Sequence, residues 1–241
     1  MLAGPNGSGK STLKPVLRKE WLGVYLNPDE MEEVIRQRGF LDFADYGLAA
    51  TGEAVLSFFN GSSLLISAGF GDAAKRLGFV NGRLDFGKVK VNSYFASVAA
   101  DFLRQKLLAR KASFTLETVM SHPSKVDLLA NAQDAGYRTY LYFIATDDPD
   151  INISRVRNRV KMGGHAVPED RIVQRYHRSL DLLMEAIMHT NRAYVFDNSG
   201  DNTEKKLLAK ITNGSVLDLK TGQIPAWFKR FVLDKIKPPP A

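Results

Sequence analysis

An eight-residue motif near the start of the chain restricts the fold more than any other feature of the sequence. Residues 4–11 read Gly-Pro-Asn-Gly-Ser-Gly-Lys-Ser, which fits the pattern G-x-x-x-x-G-K-[ST]. The glycines let successive backbone N–H groups turn inward around a phosphate, Lys10 can reach the β- and γ-phosphates, and the Ser11 hydroxyl can bind Mg²⁺. The alternative is a Gly-rich turn that precedes a helix by chance. The complete motif favours a nucleoside triphosphate site, formed by Gly4, Pro5, Asn6, Gly7, Ser8, Gly9, Lys10, Ser11 and Thr12.

The segments on either side of this motif are expected to be a strand and a helix. The apolar residues Leu13, Val16 and Leu17 predict an amphipathic helix over residues 10–21, whose positive dipole end would point at the bound phosphates. Only residues 1–3 are available for the strand before the motif. The sequence therefore predicts either a very short first strand or a chain that begins later than the natural protein does.

Apolar segments typical of strands alternate with helical segments along the rest of the chain. This order predicts an α/β fold of the P-loop NTPase and kinase type, with a parallel five-stranded sheet sandwiched by helices, in a single domain over residues 1–241. The five strands are expected at residues 1–3, 21–27, 112–116, 137–145 and 192–196.

Two regions do not belong to this alternation. Residues 59–92, punctuated by Gly and Asn-Gly turns, are interpreted as an insertion formed by a hairpin or a small helical excursion. Residues 201–241 form a C-terminal extension, with a hairpin expected around Thr221 and Gly222 and a basic amphipathic helix over residues 225–236.

The composition limits the classes of partner and of compartment. The 241 residues include no cysteine, which excludes a disulfide scaffold or a thiolate site and is compatible with a cytoplasmic location. No run of about 18 apolar residues predicts a membrane span, and the first residues do not resemble a secretory signal. The chain carries 33 Lys and Arg against 26 Asp and Glu, a formal net charge of +7. This surplus predicts an anionic partner: a nucleic acid, a membrane surface or a phosphorylated small molecule.

Two carboxylates follow predicted strands near the phosphate motif. Asp29 comes after the second strand and Glu117 after the third. Because ligands bind at the carboxyl ends of parallel strands, both are expected to face the same crevice as Lys10. A kinase needs one carboxylate to deprotonate the acceptor hydroxyl and an acid that holds hydrated Mg²⁺ or the acceptor. We assign Asp29 as the base and Glu117 to the acceptor or the metal shell; the alternatives are a helix cap for Asp29 and a helix N-terminal charge for Glu117.

Residues 155–178 hold much of the positive charge, with seven basic residues against two acidic ones. A Gly-Gly break separates two helices here, and the second is expected to run over residues 168–188. Two such helices can form an Arg-rich lid that closes over a transferring phosphate. A solvated basic surface and a nucleic-acid-binding stripe are the alternatives. The arginines that share a face of each helix are Arg155 with Arg159, and Arg171 with Arg175 and Arg178.

Two further polar residues are candidates. His165, beside the Gly-Gly break, can contact a phosphate or the substrate, although a histidine in a turn needs no such role. Asn198 follows the last strand, in a loop that often lies along the adenine in P-loop kinases. A plain polar turn is the alternative for this loop.

These motifs together resemble the zeta-toxin family of P-loop kinases. The resemblance rests on the phosphate motif, on Asn-Pro-Asp-Glu at residues 27–30, on Leu-Glu-Thr at residues 116–118 and, as its most specific part, on residues 155–179 with their Gly-Gly-His and Val-Pro. It covers roughly residues 1–200. It is closer to the chromosomal branch that carries an ABC-type ATPase label than to the plasmid toxins, but the chain has no Leu-Ser-Gly-Gly-Gln signature of transporter ATPases.

Members of this family phosphorylate the 3′-hydroxyl of UDP-N-acetylglucosamine with ATP or GTP. The resemblance therefore implies Asp29 as the base that deprotonates the acceptor, Glu117 as an acid that binds the sugar, and an antitoxin protein as a partner. Arg159 and Arg175 best match the arginines at the transferring phosphate. The remaining residues expected at the acceptor are Thr118, Asn27, His165 and Arg171.

The sequence thus predicts an ATP- and Mg²⁺-dependent phosphotransferase with an alcohol group as acceptor, and UDP-N-acetylglucosamine as the leading acceptor. Residues 59–92 are longer than this resemblance leads us to expect where the substrate pocket should form, so a nucleoside or antibiotic hydroxyl stays an alternative. A nucleic-acid-associated ATPase is the alternative of another class. No aromatic platform interleaves with the charges of the C-terminal helix, so a nucleic acid is not expected as a partner. A membrane is not expected as a partner either. Those charges are Lys229, Arg230, Lys235 and Lys237.

Overall fold

A computed structural model of the chain describes residues 1–164, 166–200 and 205–236. The chain forms two compact units: Met1–Leu17 with Glu117–Ala241, and Arg18–Leu116. None of the helices in the described part combines the length and the apolar character needed to traverse a membrane. That residues 1–241 act as a single domain stays a prediction.

The strands and helices are numbered in chain order. The strands are β1 (Leu2–Ala3), β2 (Val24–Leu26), β3 (Phe40–Asp42), β4 (Gly78–Val80), β5 (Arg83–Asp85), β6 (Phe114–Thr118), β7 (Tyr140–Ala145), β8 (Arg192–Asp197), β9 (Lys206–Thr212) and β10 (Val216–Leu219). The helices are α1 (Lys19–Leu22), α2 (Pro28–Arg38), α3 (Gly52–Asn60), α4 (Ser63–Ser67), α5 (Gly71–Ala74), α6 (Ser93–Ala109), α7 (Ser124–Asp134), α8 (Pro149–Lys161), α9 (Glu169–Asp181), α10 (Leu183–Met188) and α11 (Ala226–Phe228).

The first unit is a sheet flanked by helices. The two-residue strand β1 is buried and pairs in parallel with both β6 and β7, so that Leu2 lies opposite Glu117 on one side and Tyr142 on the other. Strand β8 is parallel to β7, whereas β9 and β10 are antiparallel additions. The strand order in this unit is β10-β9-β8-β7-β1-β6. The first strand of this chain is therefore very short, with only Leu2 and Ala3.

The core of the first unit joins the sheet to helices and to the C-terminal segment. Phe143 of β7 lies in this core with its ring centroid 6.5 Å from that of Trp227 in α11, and helix α10 contacts both α7 and β7. The segment after α11 is a π-helical turn over Lys229–Leu233. Burial of this apolar surface is the main stabilising contribution to the unit. The buried residues of this core include Leu141, Phe143, Tyr176, Leu183, Ile187, Trp227 and Phe228.

The second unit is built around the long helix α6. Strand β2 pairs in parallel with the first three residues of β6, and a small antiparallel sheet has the order β3-β5-β4. Helices α2, α3 and α4 contact α6, where edge-to-face ring pairs such as Phe43 with Phe102 at 5.5 Å fill the core. Residues 59–92 contain the hairpin of β4 and β5 as well as the short helices α4 and α5, so both shapes considered for this region occur.

The five strands predicted from the sequence all form parallel pairs, which confirms the α/β fold class. The predicted helix over residues 10–21 is wrong. Residues 11–13 form a turn, Lys14–Val16 a short 3₁₀ helix, and α1 begins only at Lys19. Pro15 accounts for the break, because it has no N–H to donate to the carbonyl of Ser11 and its ring would clash with that carbonyl in an α-helix.

Two other predicted elements differ from the structure. The single helix over residues 168–188 is divided into α9 and α10 at Leu182, whose ψ of −8° interrupts the helical backbone. The C-terminal hairpin turns at Asn213 and Gly214, and not at Thr221 and Gly222. Asn213 and Gly214 both have positive φ, 48° and 71°, as tight hairpin turns require. The basic helix expected over residues 225–236 is shorter, with α11 followed by the π-helical turn over Lys229–Leu233; it buries Trp227, Phe228, Phe231 and Val232.

Candidate active site

The phosphate loop, residues 4–11, leaves the carboxyl end of β1 in the first unit. Its glycines are required by the close approach of neighbouring groups. A Cβ on Gly4 would lie 2.0 Å from the carbonyl oxygen of Ile144, and one on Gly9 would lie 2.5 Å from Nδ2 of Asn198. Both residues also have positive φ, 145° and 93°. The loop therefore tolerates no side chain at these two positions.

Asn152 of α8 holds the loop from the side, and sequence reasoning missed it. Its side chain is fully buried (0% exposed), its Nδ2 donates to the carbonyl of Asn6, and its Oδ1 accepts from the Thr146 hydroxyl. A signal exists in the sequence: Asn152 lies four residues before the buried Val156, on the apolar face of α8. A polar residue on such a face is expected to have a buried partner.

Lys10 folds back over the loop that precedes it. Its Nζ donates to the carbonyl oxygens of Gly4 at 2.8 Å and Pro5 at 2.9 Å, and the side chain is 9% exposed. The ammonium group is thus held inside the loop by two backbone carbonyls.

Ser11 and Glu117 are joined directly. The Ser11 hydroxyl donates to Oε1 of Glu117 at 2.9 Å, and Glu117 is 8% exposed. Within the described residues, no group of three His, Cys, Asp or Glu could hold a metal ion. The Ser11–Glu117 pair nevertheless fits Mg²⁺, because this cation is commonly held by one or two protein oxygens together with phosphate oxygens and water.

The hydroxyls of Thr12 and Thr118 act on the backbone. Thr12 Oγ1 donates to the carbonyl of Gly9 at 2.8 Å and closes the end of the loop. Thr118 Oγ1 accepts from the N–H of Met120 at 3.1 Å, where Met120 has a φ of 54°. Thr118 therefore stabilises the turn that follows β6, and its expected contact with the acceptor stays a prediction.

Asn198 lies directly against the phosphate loop. Its Nδ2 donates to the carbonyl of Ser8 at 2.8 Å, and its backbone carbonyl accepts from Nη1 of Arg155 at 2.7 Å. Arg155, expected on the inner face of the lid, also donates from Nη2 to the carbonyl of Gly200 at 2.9 Å. Both residues therefore contact backbone carbonyls around the loop.

Lys205 adds a cation at the same place. Its Cε lies 3.5 Å from the position that a Cβ on Gly9 would occupy. Burial and, to a smaller extent, the charge of Arg155 lower the pKa of the Lys205 amine. Sequence reasoning did not single out Lys205, because one lysine before a strand carries no motif.

The arginines of the predicted lid lie on α8 and α9, which contact each other. Arg159, in the last turn of α8, and Arg175 are half-buried, whereas Arg171 is exposed. Arg157 forms an exposed ion pair with Glu169 at 2.6 Å, which also holds the pKa of that carboxyl below its usual range. His165 lies outside the described residues. The roles of Arg159, Arg171, Arg175 and His165 stay predictions.

Asn27 and Asp29 belong to the second unit. Asn27, and not Asp29, caps helix α2: its Oδ1 accepts from the N–H groups of Asp29 at 3.0 Å and Glu30 at 3.5 Å. The carboxylate of Asp29 is exposed and forms no hydrogen bond or ion pair with the residues that the structure describes. The helix-cap alternative for Asp29 is therefore wrong, and its role as a base stays a prediction.

Comparison with known proteins gives one family and several similar structures. Residues 88–204 match the family model described as zeta toxin, just under half of the chain. An uncharacterized protein of Haemophilus influenzae is 33% identical over 63 residues, which are 26% of this chain and 45% of that protein. The matched segment thus spans less than half the length of that curated relative.

Two solved structures are similar over most of the chain. A chain of the AvrRxo1-ORF1 complex with AvrRxo1-ORF2 and sulphate ions has a TM-score of 0.59 at 13% identity, with 98% of this chain and 64% of that chain covered. A chain of the AvrRxo1-ORF1:-ORF2 structure with ATP has a TM-score of 0.52 at 16% identity, with 90% and 59% covered. At these identities the likeness shows the fold alone. The family match over residues 88–204 and the P-loop α/β architecture together make this chain similar to the zeta-toxin family of P-loop kinases.

Proposed function

We propose that this chain transfers the γ-phosphoryl group of ATP to a hydroxyl of a nucleotide sugar, with UDP-N-acetylglucosamine as the acceptor and Mg²⁺ as cofactor. The observation that carries the proposal is the phosphate loop itself, closed around the buried Lys10 and joined through Ser11 to the buried Glu117. The family match supports phosphoryl transfer, and the similar AvrRxo1 structure solved with ATP supports the donor. The resemblance of the motifs supports the acceptor.

Nucleotide binding would fall to the phosphate loop and its neighbours. The backbone N–H groups of the loop hold the β-phosphate, and Lys10 turns its ammonium group from the carbonyls of Gly4 and Pro5 to the β- and γ-phosphates. Bound Mg²⁺ supplies positive charge that neutralises the β- and γ-oxygens. Ser11 offers its hydroxyl to this ion, and its 2.9 Å bond to Glu117 favours the metal-shell role for Glu117 over sugar contact.

Asp29 would act as the base. It accepts the proton of the acceptor hydroxyl while that oxygen bonds to the γ-phosphorus and the bond from the phosphorus to the ADP oxygen breaks. Its exposed carboxylate, without a partner in the described part of the chain, supports this role, because it is accessible to an acceptor hydroxyl. Asn27 stabilises the helix start on which Asp29 lies.

The predicted lid supplies the remaining positive charge. Arg159 and Arg175 stabilise the charge on the transferring phosphoryl group, as positioned guanidinium groups do in this chemistry. The acceptor would be bound by Thr118, Asn27, His165 and Arg171, and the proposal includes an antitoxin-type protein partner and a cytoplasmic location. The similar chain comes from a structure of AvrRxo1-ORF1 with AvrRxo1-ORF2, which supports a protein partner.

Two variants test the proposal. Lys10→Ala is expected to weaken both ATP binding and phosphoryl transfer, because it removes the charge at the β- and γ-phosphates. Asp29→Asn is expected to abolish transfer and to leave ATP binding nearly unchanged, because it removes only the proton acceptor. Binding is measured by isothermal titration calorimetry and transfer by mass spectrometry of the acceptor. Normal turnover of Asp29→Asn would refute the base, and unchanged binding by Lys10→Ala would refute the phosphate site.

A further inference from the structure

The turn over residues 197–200 begins at the last residue of β8. It contacts β7, the phosphate loop, α8 and α11 of the first unit. The N–H of Asn198 donates to the carbonyl of Ala145 at 2.8 Å, which fixes the turn to the end of β7. From this anchored position the Asn198 side chain reaches the phosphate loop, where Nδ2 donates to the carbonyl of Ser8 at 2.8 Å. Asn198 therefore links the carboxyl end of β7 to Ser8, in the middle of the phosphate loop.

The contact between Asn198 and the loop is tight. A Cβ on Gly9 would lie 2.5 Å from Nδ2 of Asn198, so the amide occupies the space that a side chain at Gly9 would need. Gly9 has a φ of 93°, in the region that favours glycine. The path of the backbone at Ser8 and Gly9 thus depends on where the Asn198 amide lies.

Arg155 holds the turn from the side of α8. Its guanidinium donates from Nη1 to the carbonyl of Asn198 at 2.7 Å and from Nη2 to the carbonyl of Gly200 at 2.9 Å. The planar guanidinium donates to the two carbonyls from two separate nitrogens in a fixed geometry, whereas lysine has one nitrogen at the end of a flexible stem. Both nitrogens are thus engaged with backbone oxygens of the turn.

Both carboxylate oxygens of Asp197, the acidic residue of the turn, also accept hydrogen bonds. The two carboxylate oxygens of Asp197 accept from the Ser199 hydroxyl at 2.6 Å and from its N–H at 3.2 Å. Asp197 Oδ1 also accepts from Nε1 of Trp227 at 3.0 Å, and the Ser199 hydroxyl accepts from the N–H of Asp147 at 2.8 Å. The buried Trp227 therefore touches the turn through its indole N–H and can report on it.

We infer that the 197–200 turn keeps the phosphate loop in its phosphate-binding shape, with Asn198 and Arg155 as positioning residues. In this role Arg155 acts on the nucleotide only through the turn and does not belong to the arginines that close over the phosphate. Asn198 acts through the Ser8 carbonyl and orients the N–H groups that follow it, because each peptide unit carries both groups in one plane. The inference rests on the proposed nucleotide site.

The test uses Trp227 as its reporter in a Trp21→Phe background. The chain has two tryptophans, and Trp21 is 61% exposed whereas Trp227 is 4% exposed, so emission from this background arises from Trp227 alone. The variants are Arg155→Lys, Arg155→Met and Asn198→Ala. The matched control is Arg157→Lys, the same substitution two residues along α8, at a residue whose partner is Glu169. ATP binding, kcat and KM for ATP and for the acceptor, and Trp227 emission are measured for each.

The expected result is a loss of ATP affinity of about tenfold for Arg155→Met and Asn198→Ala, the size expected from one lost charge-assisted or buried hydrogen bond. Arg155→Lys should retain only part of the affinity, Arg157→Lys all of it, and the acceptor KM should not change. The Trp227 emission should shift to longer wavelength in the Arg155 variants. The double variant should lose less than the product of the two single losses, because both residues act through one turn.

Three outcomes decide the matter. If Arg155→Met and Asn198→Ala bind ATP within twofold of the parent and keep its Trp227 emission, the inference is overturned, even where urea unfolding shows that they are less stable. If the loss of ATP affinity in the Arg155→Met, Asn198→Ala double variant equals the product of the two single losses, the inference is overturned as well. If the parent itself binds no ATP, the proposed nucleotide site fails, and this failure is visible in the parent before any variant is compared.

Discussion

Replacing Asn152 with alanine is expected to destabilise the first unit and loosen the phosphate loop together. The side chain of Asn152 is fully buried, with Nδ2 on the carbonyl of Asn6 and Oδ1 on the hydroxyl of Thr146. Alanine removes both contacts. The Thr146 hydroxyl keeps a second acceptor, the carbonyl of Asp148 at 3.3 Å, so the main loss falls on the buried carbonyl of Asn6.

The magnitude follows from these contacts. A buried polar group that loses its partner costs about 1–3 kcal/mol, and the space left by the amide adds to this. The better helix propensity of alanine recovers roughly 0.5 kcal/mol. The net loss in the free energy of unfolding is therefore about 1–3 kcal/mol. For a chain of this size that loss lowers Tm by roughly 2–12 °C.

Urea unfolding of Asn152→Ala, followed by Trp227 emission in the Trp21→Phe background, measures this loss in the first unit. The matched control is Asn158→Ala, at an exposed asparagine six residues along the same helix. The control has the same gain in helix propensity without the buried contacts, so its stability should equal or slightly exceed that of the parent. If Asn152→Ala lowers the free energy of unfolding by less than about 0.5 kcal/mol and cannot be distinguished from the control, the reasoning that Asn152 supports the loop is refuted.

Two further predictions concern the charges of the site. Glu117→Gln keeps the shape of the side chain but removes its charge. The Mg²⁺ concentration for half-maximal activity should therefore rise several-fold, while the KM for the acceptor stays constant. A raised acceptor KM with an unchanged Mg²⁺ requirement would instead assign Glu117 to the sugar. Lys205→Met should weaken ATP binding several-fold in isothermal titration calorimetry, because Cε of Lys205 lies 3.5 Å from the position that a Cβ on Gly9 would occupy and burial lowers the pKa of the amine. Unchanged affinity would show that the Lys205 amine does not contact the nucleotide.

Patterns that depend on neighbouring residues in the sequence predicted the structure well. The phosphate motif predicted the loop after β1, and the alternation of apolar segments with helical ones predicted five strands that all form parallel pairs. Both patterns express local requirements, namely glycine where a side chain would clash and apolar runs where a strand is buried on both faces.

The helix expected after the loop shows where such patterns mislead. Leu13, Val16 and Leu17 have helical spacing, but Pro15 removes a backbone donor in the middle of the segment. The prediction follows the spacing of the apolar residues, but in the structure Pro15 prevents an α-helix over this segment. The C-terminal hairpin is a similar case, because positive φ at Asn213 and Gly214 placed the turn eight residues before Thr221 and Gly222.

The residues that support the phosphate loop could not be found from sequence spacing. Asn198 lies 190 residues after Ser8, and Asn152 lies 146 residues after Asn6, so their hydrogen bonds depend entirely on how the strands are ordered. Arg155 was assigned to the lid because it shares a helix face with Arg159. Its actual partners are two backbone carbonyls, and backbone groups leave no signal in the side-chain pattern.

Phosphoryl transfer by this chain is established or excluded by identifying the product that the purified protein forms from ATP. The protein is incubated with Mg²⁺, ATP and a panel of nucleotide sugars, nucleosides and aminoglycoside-type antibiotics, and mass spectrometry identifies any compound that gains a phosphoryl group. We expect UDP-N-acetylglucosamine to gain one phosphoryl group in the parent but not in Lys10→Ala. Phosphorylation of another hydroxyl compound would contradict the acceptor. ATP hydrolysis that is stimulated by nucleic acid, with no phosphorylated acceptor, would contradict the kinase.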